Sequence, residues 1–225
     1  MPLTAHPARA IVVEALAVAL VAGSLARIGF EHSGTAIGLL FLGMCHVRSW
    51  RLDDDRVRAD GLALAGLAAP ILTPRHAFMA SLRAIVVTVA VVFPLFVLAW
   101  VGVQRPAQSF ELARALRDLS PLSEIVLVAL PEEAFFRGYV QSRLAEALGP
   151  RAAFGPVTRA NLIASLLFAL GHFGTSVSVA RASVFFPSLL FGLLRERTGG
   201  IVASVVVHAL SNVLARVLFA GFGIA

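Results

Sequence analysis

Three short clusters hold the residues in this chain that could do chemistry. Pro131-Glu132-Glu133-Ala134-Phe135-Phe136-Arg137 sets two carboxylates and a guanidinium within two helical turns of an apolar stretch. Phe168-Ala169-Leu170-Gly171-His172 ends another apolar stretch on an imidazole. His208-Ala209-Leu210-Ser211-Asn212 places an imidazole and a carboxamide at i and i+4, stacked on one helix face. Ionisable groups inside apolar spans cost roughly 2.5–3.5 kcal/mol each on insertion scales, so a chain keeps them mainly for function or tight pairing.

Helical spacing gives the two glutamates different tasks. Glu133 and Arg137 are i and i+4 and pair on one face, whereas Glu132 is rotated by about 100° and points elsewhere. Glu133 is thereby neutralised and structural, and Glu132 is free to act as a general base or acid. Taken together, Glu132, His172, His208 and Asn212 supply a base, a second proton carrier and two donors for an oxyanion, which is the equipment for hydrolysing an amide. Ser165 and Ser211 lie in no nucleophile-elbow pattern and beside no lysine, so a covalent serine route has little support. The bland reading of the same residues is an ion-pair cluster that locks helices together. A lone His172 would ordinarily be structural, with Gly171 and Gly174 permitting close approach of backbones. His6, His32, His46 and His76 fall in loops or at span ends and carry no assigned role.

The elements that must position these groups are membrane helices. The 225 residues are 58% hydrophobic and 14% charged, with a mean hydropathy of +0.85, outside the globular range. Apolar runs at about 11–26, 34–47, 61–72, 82–103, 121–141, 160–173, 179–194 and 201–222 predict an all-α polytopic bundle of seven or eight spans. Lipid offers no partner for an exposed amide, and the runs lack the alternation of barrel strands. Gly61 to Leu72, closed by Pro70 and Pro74, is short enough to be re-entrant or half of a broken helix. The stretch 104–120 reads as an amphipathic surface segment. One integral domain, 1–225, is expected, with accessory spans in 1–120 and a catalytic core in 121–225.

The net charge of +6 comes from 19 arginines and no lysine, gathered mostly in loops and at helix ends. That distribution suits anionic headgroups and argues against a nucleic-acid partner, which needs a soluble basic face. The loop Arg48–Arg58, with Trp50 at an interfacial position, is expected on the cytoplasmic side. Cys45 is the single cysteine, so no intrachain disulfide and no thiolate metal cluster can form within the chain. Arg9 ahead of Ile11 to Leu25 mimics a signal peptide, but the next apolar run follows so soon that a retained first span is the better reading.

The three clusters resemble the motifs of the CAAX prenyl protease and bacteriocin-processing family, also called CPBP or ABI, a family of intramembrane glutamic endopeptidases. EExxxR falls at Glu132–Arg137, FxxxH at Phe168–His172 and HxxxN at His208–Asn212, in that order and in separate apolar segments between about 121 and 215. The resemblance implies that Glu132 and His172 activate a water, that His208 and Asn212 hold the oxyanion, and that Glu133, Arg137 and Phe168 support the site. It implies no cofactor, and as partners the bilayer and a membrane-anchored protein or peptide, with C-terminal processing plausible. Substrate class and oligomeric state stay open. The alanine-rich, lysine-free composition suggests a bacterium of high genomic GC, hence the cytoplasmic (inner) membrane, and lowers the expectation of prenylated substrates.

Two other readings compete. A zinc-dependent membrane hydrolase would take His172, His208 and Glu132 as ligands with one open position, though without an HExxH helix. A non-enzymatic immunity, transport or scaffold protein would use the same cluster only to fix helix packing.

Overall fold

The computed structural model describes residues 6–29, 32–49, 74–117, 119–173 and 179–224. The run 61–72 and most of the arginine-rich loop lie outside them. Every predicted run within the described residues is helical, and the only strands there form the hairpin β1 (Ala152–Phe154) and β2 (Val157–Thr158), paired antiparallel.

Helix α1 spans His6–Ile28 and α2 spans Ser33–Ser49; they pack on each other. A long helix follows, as α3 (Pro74–Val87), one π-helical stretch (Thr88–Val92) and α4 (Phe93–Gln104). The 104–120 segment then crosses the surface, with a single turn, α5 (Leu112–Ala115). Phe110 anchors it on the end of the last helix: the ring stacks edge-on to Phe222 at 5.3 Å and fills the space a Cβ at Gly221 would need.

The segment that carries the two glutamates is one continuous helix over 121–148, wound unevenly. It comprises α6 (Pro121–Ser123), a π stretch (Glu124–Ala129), α7 (Leu130–Glu133), a second π stretch (Ala134–Gln141) and α8 (Ser142–Leu148). Pro131 supplies no N–H to the helical ladder, and rewinding into wider turns is one way a helix accommodates that loss. The Ser142 hydroxyl caps the widened region by donating to the Arg137 carbonyl, five residues back, at 3.1 Å.

After the hairpin come α9 (Arg159–Phe173), α10 (Val179–Ser183), α11 (Phe185–Thr198) and α12 (Val202–Gly221). Gly199, at φ +74°, ends α11 in the left-handed conformation that favours glycine, its N–H bonded to the Arg195 carbonyl. Helices α9 and α11 meet at a small-to-polar lock. Asn161 donates to the Leu189 carbonyl at 3.0 Å and accepts from Ser165 at 3.1 Å, and its carboxamide lies where a Cβ on Gly192 would be. Gln141 ties the glutamate-bearing helix to the same place through the Gly192 carbonyl (3.1 Å) and Glu196 (2.8 Å).

Three helices among the described residues are long and apolar enough to cross a membrane: Ala8–Ile28, Phe78–Gln104 and Val202–Gly221. The chain is thus an all-α protein with three candidate membrane-spanning helices among the described residues, and the expected seven or eight spans are not confirmed. The reason is physical. Ser33–Val47 and Arg159–Phe173 are apolar but short, against about 20 residues for a full crossing. The 121–148 helix gives up apolar length to the polar groups it carries.

Candidate functional site

Aromatic packing sets the frame. Phe135 and Phe136 point from the 121–148 helix onto Phe41 of α2 at 5.1 and 5.6 Å, and Phe136 meets Phe168 of α9 edge-on at 5.1 Å. Phe168 sits at the centre. Its ring lies 4.4 Å from that of His172, 5.9 Å from that of His208 and 4.7 Å from the Arg137 guanidinium carbon. Arg137 is fully buried and also faces Phe191 at 5.5 Å, so two rings partly replace its hydration by cation–π contact.

The expected i,i+4 pair is present. Arg137 Nε lies 3.2 Å from Glu133 Oε2, both side chains being fully buried. A further partner comes from α11, where Arg137 donates to the Ser188 hydroxyl at 2.6 Å and the Ser188 carbonyl at 3.0 Å. The other Glu133 oxygen, Oε1, is 2.9 Å from His208 Nδ1. A carboxylate that is ion-paired to arginine can only accept, so Nδ1 carries a proton and donates it. That fixes the ring: Nε2 is the nitrogen left for other work.

Nε2 of His208 faces Glu132 Oε2 at 3.7 Å. This oxygen is buried without a hydrogen-bond partner, and the Glu132 side chain is 16% exposed where that of Glu133 is fully buried. Glu132 also lines a cavity of about 330 Å³ between α2, the 121–148 helix and α12, together with Gly38, Phe41, Glu124, Pro131 and Arg216. The two glutamates therefore have different surroundings. Glu133 is ion-paired with Arg137 and bonded through Oε1 to His208, and Glu132 lines a cavity.

His172 joins through Phe168. Its Nδ1 is 3.0 Å from the Phe168 carbonyl, an acceptor, so Nδ1–H donates there and Nε2 keeps its lone pair. The sequence alone left a difficulty here, because His172 ends its helix while His208 lies along another. Phe168 links the two, its ring lying 4.4 Å from that of His172 and 5.9 Å from that of His208. Asn212, one turn beyond His208, donates through Nδ2 to Glu124 Oε2 at 3.2 Å. Ser165 and Ser211 are occupied by Asn161 and by the Val207 carbonyl at 2.7 Å. Among the described residues no group of three His, Cys, Asp or Glu side chains is disposed to hold a metal ion.

Glu124, Arg216 and Ser188 escaped the reading of the sequence. Glu124 carried the same signal as Glu132, a carboxylate within an apolar run, but it stands alone in sequence. Arg216 looked like one more arginine of a helix end. Ser188 gave no signal that spacing could supply.

The stretch that carries the EExxxR, FxxxH and HxxxN residues is similar to a known family. Residues 119–214 match the family described as type II CAAX prenyl endopeptidase Rce1-like. That region is similar to the Rce1-like family. All three motifs fall within the Rce1-like region, and α1 to α4 precede it. The family's members are intramembrane proteases, in keeping with the apolar helices of this chain. No curated protein and no solved structure matched the chain.

Proposed function

We propose that this protein is an intramembrane endopeptidase of the glutamic type, in which Glu132 activates a water against a peptide bond of a membrane-anchored substrate. The observation that carries the reading is Glu132 Oε2, buried without a hydrogen bond and 3.7 Å from His208 Nε2, on a side chain whose residue lines a cavity. Among the described residues both other carboxylates of the region have their own arginine, Glu133 with Arg137 and Glu124 with Arg216. Glu132 has none, as a general base requires.

Glu132 takes a proton from water as the hydroxide oxygen bonds to the carbonyl carbon, and the carbonyl oxygen becomes an oxyanion. Asn212 Nδ2 and His208 Nε2 donate to that oxygen. Because Nδ1–H of His208 is already given to Glu133, this role requires the doubly protonated ring, whose charge is balanced by Glu132, Glu133 and Arg137 together. His172, oriented by its Nδ1 contact with the Phe168 carbonyl, relays the proton to the leaving nitrogen. The C–N bond then breaks, giving a carboxylate and an amine. The shorter helices lie in the membrane as partial crossings that keep the site wet, so the bundle has seven or eight membrane-embedded segments, of which three are full spans.

The test is to compare the C-termini of membrane proteins in cells making the wild-type chain with those in cells making Glu132→Ala or His172→Ala at equal abundance. Shortened C-termini should appear with wild type alone. Their persistence with either variant removes the mechanism.

A further inference from the structure

Glu124 is a buried carboxylate, 4% exposed, in an apolar part of the 121–148 helix, and the mechanism above makes no use of it. It is clamped from two successive turns of α12. Asn212 Nδ2 donates to Oε2 at 3.2 Å, and Arg216 Nη2 lies 2.6 Å from Oε1. His208, Asn212 and Arg216 are at i, i+4 and i+8, so they share one face of α12. The carboxylate pair on the facing helix is thereby matched twice: Glu133 holds His208, and Glu124 holds Asn212 one turn further on. Glu124 and Arg216 also line the cavity that Glu132 borders.

We infer that Glu124 is a positioning residue for Asn212, and that Arg216 holds Glu124 in place to do so. The inference rests on the oxyanion role proposed for Asn212. A carboxamide can rotate by half a turn and present its oxygen where its nitrogen was, which would put an acceptor against an oxyanion. A carboxylate cannot donate, so Glu124 accepts one Nδ2–H and commits the nitrogen end of Asn212 to the site, leaving its second N–H for the oxyanion. Arg216, a planar guanidinium that stays charged, fixes the carboxylate from the exposed side. Glutamine at position 124 breaks this logic, because its own NH2 can bond the Asn212 oxygen and stabilise the flipped carboxamide.

The test uses the purified full chain in liposomes and an internally quenched farnesylated peptide ending in a CAAX sequence. Rates and unfolding midpoints are measured for wild type, Glu124→Gln, Arg216→Ala, Asn212→Ala and the Glu124→Gln/Asn212→Ala double variant. Glu124→Gln should lower kcat on the order of tenfold, the middle of the range for coupled neighbours, with KM and the unfolding midpoint held. Arg216→Ala should lower kcat less, since the bond to Asn212 survives. In the Asn212→Ala background Glu124→Gln should have no further effect on kcat, because the residue it acts through is gone. Additive losses in the double variant overturn the inference and leave the oxyanion reading standing. Full kcat in Asn212→Ala overturns the oxyanion reading itself, and the positioning role with it.

Discussion

The long helix Phe78–Gln104 and the last helix Val202–Gly221 are both able to cross a membrane, yet they are built in opposite ways. The first has a mean hydropathy of 2.7 and is 11% buried within the protein, whereas the second has 1.8 and is 39% buried. In water the more apolar helix would occupy the core. In a bilayer the order inverts, because lipid tails are as apolar as leucine and give no drive to hide such side chains. Leu98 and Val103, 70% and 81% exposed, face outward on the first helix. Ser204, His208, Asn212 and Arg216 lie on the second, each with a polar partner from another element. Polar side chains therefore mark the interior here, and the site lies where they concentrate.

That contrast predicts unequal responses to mutation. The largest change in stability should come from Arg137→Met, which leaves Glu133 buried without its cation. Removing one member of a buried pair costs about 3–5 kcal/mol, read as a lower unfolding midpoint in detergent. Asn212→Ala should keep the fold while losing about 10²–10³ in kcat, the usual cost of one oxyanion donor. Phe168→Leu should be intermediate, at about 1–2 kcal/mol, since the ring supports both imidazoles and faces the buried guanidinium, a contact worth about that much when desolvated. Leu98→Ala on the outward helix should shift stability by no more than about 0.5 kcal/mol and leave cleavage unchanged. A large effect there, with a small one at Arg137, would reverse the contrast.

Much of this was legible from residue spacing, and what was not has a common cause. The helix over 121–141, which the structure extends to 148, and the pairing of Glu133 with Arg137 follow from apolar runs and an i,i+4 relation, both local. The different fates of Glu132 and Glu133 follow from the 100° rotation between neighbours. Ser188 reaches Arg137 across 51 residues and Glu124 reaches Asn212 across 88, and no local period encodes such pairs. The π stretches escaped for another reason: Pro131 announces a break in the helical ladder but does not say whether the chain will kink or rewind. Three helices among the described residues have the length and apolarity of a full span, so the count of seven or eight is not confirmed. Arg159–Phe173 is apolar but five residues short of the 20 in Val202–Gly221.

The central claim is that Glu132 is a base and Glu133 a support, although the two are adjacent in sequence. The direct test is Glu132→Gln in the full chain, with peptide cleavage and unfolding followed on the same liposome preparation. The account predicts a loss of about 10²–10⁴ in rate, the usual contribution of a positioned general base, with no change in unfolding midpoint. Cleavage at the wild-type rate, or an unfolding midpoint that falls as far as that of Arg137→Met, contradicts it.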